Sequence, residues 1–325
     1  LGSFASTLEV LILTQGVAYG LGFLIFYYPI LSMVNEYWVA RRGMAYGVLC
    51  GASGVSGSVM PFALQALLAR YGYRITLRAV AVALAVLTGP LIPFLKGRLP
   101  PSAARSEGAT QLRSINWAFL RSPLFWVYSA SNVLQGFGYF FPALYLPSYA
   151  STLSLGERSG ALALALMSVS QVGGQFAFGL LSDQRTRYKV PIGLLACVST
   201  TVAAVACLTL WRLAESLAML LAFAVLYGFF GAGFTAIWAR MSTAITEDAT
   251  AAPMVFALLN FGKGVGNVLA GPIGGSLVAH GSSGMKPVGA TSYRWVIVFT
   301  GVCMLASTMT IGLRYVKRLG MLVVR

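Results

Sequence analysis

Residues 255–278 read VFALLNFGKGVGNVLAGPIGGSLV, 24 residues with one charge, Lys263. A helix needs roughly 20 apolar residues to cross about 30 Å of hydrocarbon, and this run is long enough. Its glycines and Pro272 would weaken a helix in water. In a membrane they are tolerated, because neighbouring helices re-satisfy freed carbonyls and glycine lets helices approach closely. Similar runs recur along the chain, at roughly 8–38, 43–68, 75–95, 124–150, 160–181, 190–211, 217–237 and 295–313. Of the 325 residues, 58% are hydrophobic and 10% charged, against about 25% charged in soluble domains. Strands of a membrane barrel alternate apolar and polar residues and would not give continuous runs. The sequence therefore predicts an all-α polytopic membrane protein of about nine spans, the first long enough to tilt.

The net charge of +15 suggests nucleic acid until its placement is read. With the loop of Arg41 and Arg42 in the cytoplasm and the spans alternating, fifteen of the 23 Lys and Arg residues fall on the cytoplasmic side and seven on the other, Lys263 remaining inside a span. That is the positive-inside bias. It places the C-terminus in the cytoplasm, and no nucleic-acid partner is expected. The four cysteines, Cys50, Cys197, Cys207 and Cys303, all lie in apolar spans and read as small buried hydrophobes. His280 is the sole histidine and has no neighbouring ligand set for a metal. No metal or other cofactor is expected.

Working outward from residues 255–278, Tyr227-Gly228 precedes Gly262 by about 34 residues, Pro272 follows ten later, and Tyr293-Arg294 opens the last span. Earlier, Tyr19-Gly20 precedes Gly51 by about 31 residues, Pro61 follows ten later, and Tyr73-Arg74 opens the third span. The first three spans thus echo the last three, six helices apart, as one six-helix unit used twice would. Such a parallel repeat describes the two halves of major facilitator transporters. Twelve helices less three leave nine, so the expected fold is the six-plus-six major-facilitator fold without about its first three helices. The chain opens with Leu1 in what reads as the tail of an earlier helix, and N-terminal truncation is the expectation. Its division would be a remnant N-terminal bundle over 1–95, a basic cytoplasmic connector over 96–121 and a C-terminal six-helix bundle over 122–325.

Individual motifs narrow the resemblance. Tyr37-Trp38-Val39-Ala40-Arg41-Arg42-Gly43-Met44-Ala45-Tyr46-Gly47 resembles the aromatic, basic and glycine signature at the helix 4–5 junction of monocarboxylate transporters, with Tyr37, Arg41, Arg42 and Gly47 its matching residues. Gly72-Tyr73-Arg74 is similar to their Gly-Trp-Arg before helix six. Phe119 to Trp126 and Tyr145 to Ala150 resemble stretches flanking helix seven in the fungal branch of that family. Gly179-Leu180-Leu181-Ser182-Asp183-Gln184-Arg185-Thr186-Arg187 resembles the major-facilitator loop signature. The likeness implies a gating loop of Gly179, Asp183, Arg185 and Arg187, in which Asp183, at a cytoplasmic helix end, accepts hydrogen bonds from a neighbouring helix terminus, and Arg185 and Arg187 engage carboxylates or headgroups. Releasing such a latch would bias the inward and outward states. The alternative is an ordinary charged turn.

Polar residues at mid-span depth on one helix face mark a candidate substrate cavity. Tyr128, Asn132, Gln135 and Tyr139 fall at i, i+4, i+7 and i+11 in the fourth span. Gln171 and Gln175 are four apart in the fifth, and Asn260, Lys263 and Asn267 fall at i, i+3 and i+7 in the eighth. Residues so spaced share a face, and polar groups inside a membrane usually face a bundle interior or a cavity. The competing reading is interhelical hydrogen bonding without substrate. Lys263 costs about 2.5–3.5 kcal/mol at a span centre, so it is expected to meet an anionic substrate or a carboxylate of another helix. Against that, Gly262 and Gly264 could seat its ammonium on neighbouring carbonyls.

Animal proton-coupled monocarboxylate transporters carry an Asp and an Arg four residues apart where this chain has Gln171 and Gln175. Neither Gln titrates, so proton coupling through that pair is excluded. The resemblance implies a plasma-membrane or organelle carrier, working by alternating access, for a small organic solute, foremost a monocarboxylate or other organic anion. Its partners would be that solute, the lipid bilayer and, if transport is driven, a coupling ion. A membrane enzyme is disfavoured, since the spans hold no paired acids, no His-carboxylate set and no Ser-His pair. A non-transporting sensor, or an inactive remnant, is the remaining alternative.

Overall fold

The computed structural model describes residues 2–38, 42–96, 117–153, 155, 157–182, 190–246, 251–281 and 290–323. Every regular element among them is helical. The principal α-helices are α1 (Leu8–Leu11), α2 (Tyr19–Tyr37), α3 (Arg42–Thr88), α4 (Pro123–Tyr139), α5 (Phe141–Thr152), α6 (Glu157–Ser182), α7 (Ile192–Ala206), α8 (Leu217–Ala236), α9 (Trp238–Ile245), α10 (Ala251–Gly281) and α11 (Arg294–Val323). A π-wound segment, Ile12–Ala18, joins α1 to α2, and another, Cys207–Trp211, extends α7.

Seven helical stretches among the described residues are long and apolar enough to cross a membrane. The other two expected spans are present as helix but differ for identifiable reasons. Residues 43–58 of α3 are rich in Gly and Ser, which lowers their hydropathy without breaking the helix. The expected fourth span is interrupted at Phe140, which leaves α4 and α5 each short. Pro142 lacks the N–H that would bond the Gly138 carbonyl. The Tyr227 hydroxyl compensates, donating to the Tyr139 carbonyl at 3.1 Å and reaching the Gly138 carbonyl at 3.5 Å.

The chain forms two compact units, one comprising 1–42 and 59–113 and the other 43–58 and 114–325. In the first, α3 leaves helical geometry at Gly72, with φ 69° and ψ 173°. Only glycine takes that conformation without strain, which gives Gly72-Tyr73-Arg74 its physical meaning. The Thr76 hydroxyl donates to the Gly72 carbonyl at 2.8 Å. Arg74 Nε donates to the Tyr73 hydroxyl at 3.0 Å, and the Tyr73 hydroxyl in turn to the Ala5 carbonyl at 3.3 Å. The Tyr37 hydroxyl donates to the Lys96 carbonyl at 3.2 Å.

The second unit contains a bundle in which α4 packs on α10 and α11, α11 on α7, α7 on α8, α8 on α6, and α6 on α5. Glycine sets the two closest crossings. A Cβ on Gly228 of α8 would collide with the Met167 carbonyl of α6, and one on Gly174 of α6 with the Phe229 carbonyl. On the other side, a Cβ on Gly266 of α10 would strike the Gly136 backbone of α4. Hydroxyl pairs bind the remaining seams: Ser131 with Ser307 at 2.7 Å and Thr200 with Thr308 at 2.7 Å. Lipid is as apolar as leucine, so close packing and such hydrogen bonds hold membrane helices together. An aromatic core of Tyr149, Trp211, Phe223 and Tyr227 fills one end, with Trp211 stacked on Phe223 at 5.0 Å between centroids. Gly54, in the part of α3 belonging to this unit, lies against Val172 and the Ser168 carbonyl of α6.

Candidate functional site

Four helices of the second unit converge where α8 gives way to α9. Ile237 ends α8, and the offset brings Trp238, the first residue of α9, against α10. Lys263 of α10 lies 8% exposed with its ammonium 3.6 Å from the Tyr139 ring centroid and 4.9 Å from that of Trp238. Both are within the roughly 6 Å at which an aromatic quadrupole attracts a cation, an interaction of about 2 kcal/mol or more when desolvated. The two rings thus stabilise the buried ammonium. The flanking glycines differ in their surroundings. Gly262 lies against Val133 and Asn132, whereas nothing lies within 4 Å of a Cβ built on Gly264. Gly136 instead gives α10 room, since a Cβ there would stand 3.0 Å from the Lys263 Cα.

Buried amides of α4 and α6 reach neighbouring helices. Asn132 is fully buried and its Nδ2 donates to the Leu259 carbonyl of α10. Gln135, also fully buried, points Nε2 at the Gly231 carbonyl of α8, 3.4 Å away. Gln175 of α6, 6% exposed, points Nε2 at the Thr235 hydroxyl, again 3.4 Å away. The carbonyl oxygens of Asn132, Gln135, Gln175 and Asn267 find no protein partner among the described residues, nor does the Trp238 indole N–H. Buried polar atoms left so are rare in folded proteins, and each calls for a reason.

Not every residue of the expected cavity joins this group. Tyr128 is buried but lies eleven residues before Tyr139 on α4, about 16 Å along the axis. Asn260 turns back on its own helix, donating to the Phe256 carbonyl at 3.2 Å. Gln171 and Asn267 are half-buried, Asn267 about 6 Å along α10 from Lys263. Of the expected gating loop, Gly179 is buried in α6, while Asp183, Arg185 and Arg187 lie outside the described residues. Among the family-motif residues, Arg41 lies outside them also, Arg42 opens α3 and Gly47 follows in the same helix.

Two residues contribute that the sequence reading passed over. Trp238 stood at the end of an expected span, where interfacial tryptophan is ordinary. Arg240 of α9 donates from Nε to the Ser182 carbonyl at 3.1 Å, at the C-terminal end of α6. A cation there meets both unsatisfied carbonyls and the negative end of the helix dipole. Its spacing from Trp238 was the available signal, since both open the short amphipathic α9.

A family model, that of the Major Facilitator Superfamily, matches residues 1–206. The chain belongs to the Major Facilitator Superfamily. That family comprises transporters rather than enzymes, and it makes this chain an integral multi-pass membrane protein. Among its relatives, MFS transporter asaE of Aspergillus flavus is 25% identical over 95% of this chain and 66% of its own length. Monocarboxylate transporter 12-B of Danio rerio is 28% identical over 86% of this chain and 64% of its own length. The Fujikurins efflux protein of Gibberella fujikuroi is 24% identical over 97% and 64% respectively. This superfamily member thus spans about two thirds of the length of these curated relatives.

Proposed function

We propose that this chain works as a secondary transporter, moving a small organic anion, foremost a monocarboxylate, across a membrane by alternating access. The observation that carries the reading is the Lys263 ammonium, buried in mid-span between the rings of Tyr139 and Trp238. A charge at that depth is costly, and an ionisable residue inside a membrane span is a functional-site candidate by default. The buried amides alongside supply hydrogen-bonding groups that fix orientation, as ligand sites usually do. The names of relatives point the same way, since one is a monocarboxylate transporter. Another is named a fujikurins efflux protein, which supports a solute carrier more broadly.

On this reading residues 122–325 form the C-terminal six-helix bundle that carries the anion site, 1–95 derive from the N-terminal bundle, and 96–121 are the connector. The membrane is the plasma membrane, with the C-terminus cytoplasmic. Coupling does not run through Gln171 and Gln175, because amides do not titrate.

The test is uptake of radiolabelled lactate and acetate in yeast lacking its own carriers, comparing wild type with Lys263→Met at matched surface expression. Loss of at least 90% of uptake in the variant is expected, a change of about tenfold or more. Undiminished uptake in Lys263→Met overturns the anion-site reading.

A further inference from the structure

Two arginines at the start of the third span are set as a pair. Arg74 and Arg78 stand four residues apart in the stretch of α3 that follows the Gly72 break, one helical turn or about 6 Å along the axis. Both are exposed. Each is held by its Nε–H alone. Arg74 Nε donates to the Tyr73 hydroxyl at 3.0 Å, and Arg78 Nε donates to the Ser3 hydroxyl at 3.2 Å. The Tyr73 hydroxyl is itself fixed on the Ala5 carbonyl, and the Phe4 ring centroid lies 4.7 Å from the Arg78 guanidinium carbon. A guanidinium has five N–H donors, so four on each remain. Neither arginine has an ion pair among the described residues.

Such a pair carries a cost that the fold alone does not explain. Like charges four apart on a helix repel and destabilise it. Retention of basic residues in the cytoplasm does not account for them, because with alternating spans they fall on the outer side, together with Arg70. Nor does the repeat require both. Its second copy keeps Tyr293-Arg294 but has Val298 four residues on. Ile75, Arg78, Val82 and Val86 fall at i, i+3, i+7 and i+11, which puts them on one helix face. The three apolar residues are exposed at 54%, 63% and 65%, so Arg78 heads a bare apolar stripe. Tyr71 and Tyr73, exposed beside the pair, are the residues that sit at headgroup level in membranes.

We propose that Arg74 and Arg78 hold the phosphate of a phospholipid whose acyl chain lies along Ile75, Val82 and Val86. Charge-assisted hydrogen bonds of about 2.8 Å on each side let one phosphate bridge two guanidiniums a helical turn apart. The planar fork of Arg suits a phosphate better than the point charge of Lys. An anion at headgroup depth relieves the repulsion, and a hydrocarbon tail below it covers the stripe, which a free anion would leave bare. A headgroup with net negative charge complements the pair best. The site lies wholly within the first compact unit and is independent of the reading at Lys263.

Native mass spectrometry of the purified chain in detergent micelles tests this. The probes are dioleoylphosphatidylglycerol, dioleoylphosphatidylcholine and dioleoylglycerol, which share their acyl chains. The first phosphatidylglycerol is expected to bind at least about tenfold tighter than dioleoylglycerol, with phosphatidylcholine between them. Arg74→Gln and Arg78→Gln should each weaken phosphatidylglycerol about fivefold and leave dioleoylglycerol unchanged. Arg78→Lys, which keeps the charge but not the fork, should recover part of the loss. Arg158→Gln with Arg212→Gln, which removes two other exposed charges, should change nothing. Micelles leave both ends of the chain accessible, so orientation in the cell does not enter. Equal weakening by the Arg158 and Arg212 changes reduces the effect to net charge and overturns the proposal. Phosphatidylglycerol binding no tighter than dioleoylglycerol overturns it as well. Displacement of phosphatidylglycerol by excess inorganic phosphate shows that the arginines take a soluble anion, and overturns the lipid as occupant. The wild-type lipid order and its resistance to inorganic phosphate decide the matter even if a glutamine variant fails to fold.

Discussion

At Lys263 two terms of similar size oppose one another. Placing an ammonium at mid-membrane depth costs about 2.5–3.5 kcal/mol on insertion scales, while a desolvated cation over an aromatic face gains about 2 kcal/mol per good contact. With Tyr139 at 3.6 Å and Trp238 at 4.9 Å, the rings offset most of the cost. Trp238→Leu should therefore destabilise the purified protein by about 2 kcal/mol, the size of the lost cation–π contact. Trp238→Phe should recover part of this, because phenylalanine keeps a π face but presents a weaker quadrupole. Thermal unfolding in detergent measures both, and equal stability of the Leu and Phe variants would show that ring volume alone matters. Lys263 was legible in the sequence because a lone charge in an apolar run has few explanations. Trp238 was not, because its role depends on the break at Ile237, which puts a span-end residue beneath a neighbouring helix.

Helix crossings carry the next level of organisation, and here glycine acts by absence. Gly228 and Gly174 bring α8 and α6 together so closely that a methyl group at either would meet backbone carbonyl, which cannot swing aside. Gly264, only three turns or so into a different helix, has nothing within 4 Å of a Cβ. Gly228→Val should accordingly cost several kcal/mol, as overpacking against fixed atoms does, and lower the melting temperature or prevent a monodisperse preparation. Gly264→Ala should leave melting unchanged or raise it slightly, since alanine is the better helix former. A fluorescence-detected size-exclusion melt of the two separates them, and equal behaviour would refute the close-crossing argument. The sequence marked these glycines as helix-contact residues but could not say which were in contact. It also gave continuous spans where the structure has a break at Phe140. Pro142 was visible, yet whether a proline bends or ends a helix depends on what supplies the missing hydrogen bond. Here Tyr227, on a helix far along the chain, does so.

For the whole molecule the fold class followed from composition, because 58% hydrophobic residues in runs of span length have no soluble solution. The family followed from spacing, in that the same Tyr-Gly, Gly, Pro and Tyr-Arg devices occur twice in order. Gly72 shows what one of them does in the first copy: its positive φ ends one helical run before Tyr73 and Arg74 begin the next, whereas Ser292 precedes Tyr293-Arg294 in the second. Orientation rests on a different kind of argument, since no contact between side chains encodes it. Basic residues are retained on the cytoplasmic side during insertion, and the effect is counted over short loops near span ends. Fifteen of the 23 basic residues fall on one side when the spans alternate, and four of those, Arg314, Lys317, Arg318 and Arg325, follow the last apolar run. An epitope tag after Arg325 should therefore be protected from antibody in intact cells and become accessible only when the plasma membrane is permeabilised. Removing positive charge tests the cause rather than the outcome. Changing Arg314, Lys317, Arg318 and Arg325 together to Gln should give a mixed population in which part of the tag is exposed in intact cells. Full protection in that variant would mean that upstream loops fix the topology, and exposure in the wild type would reverse the assignment of every loop.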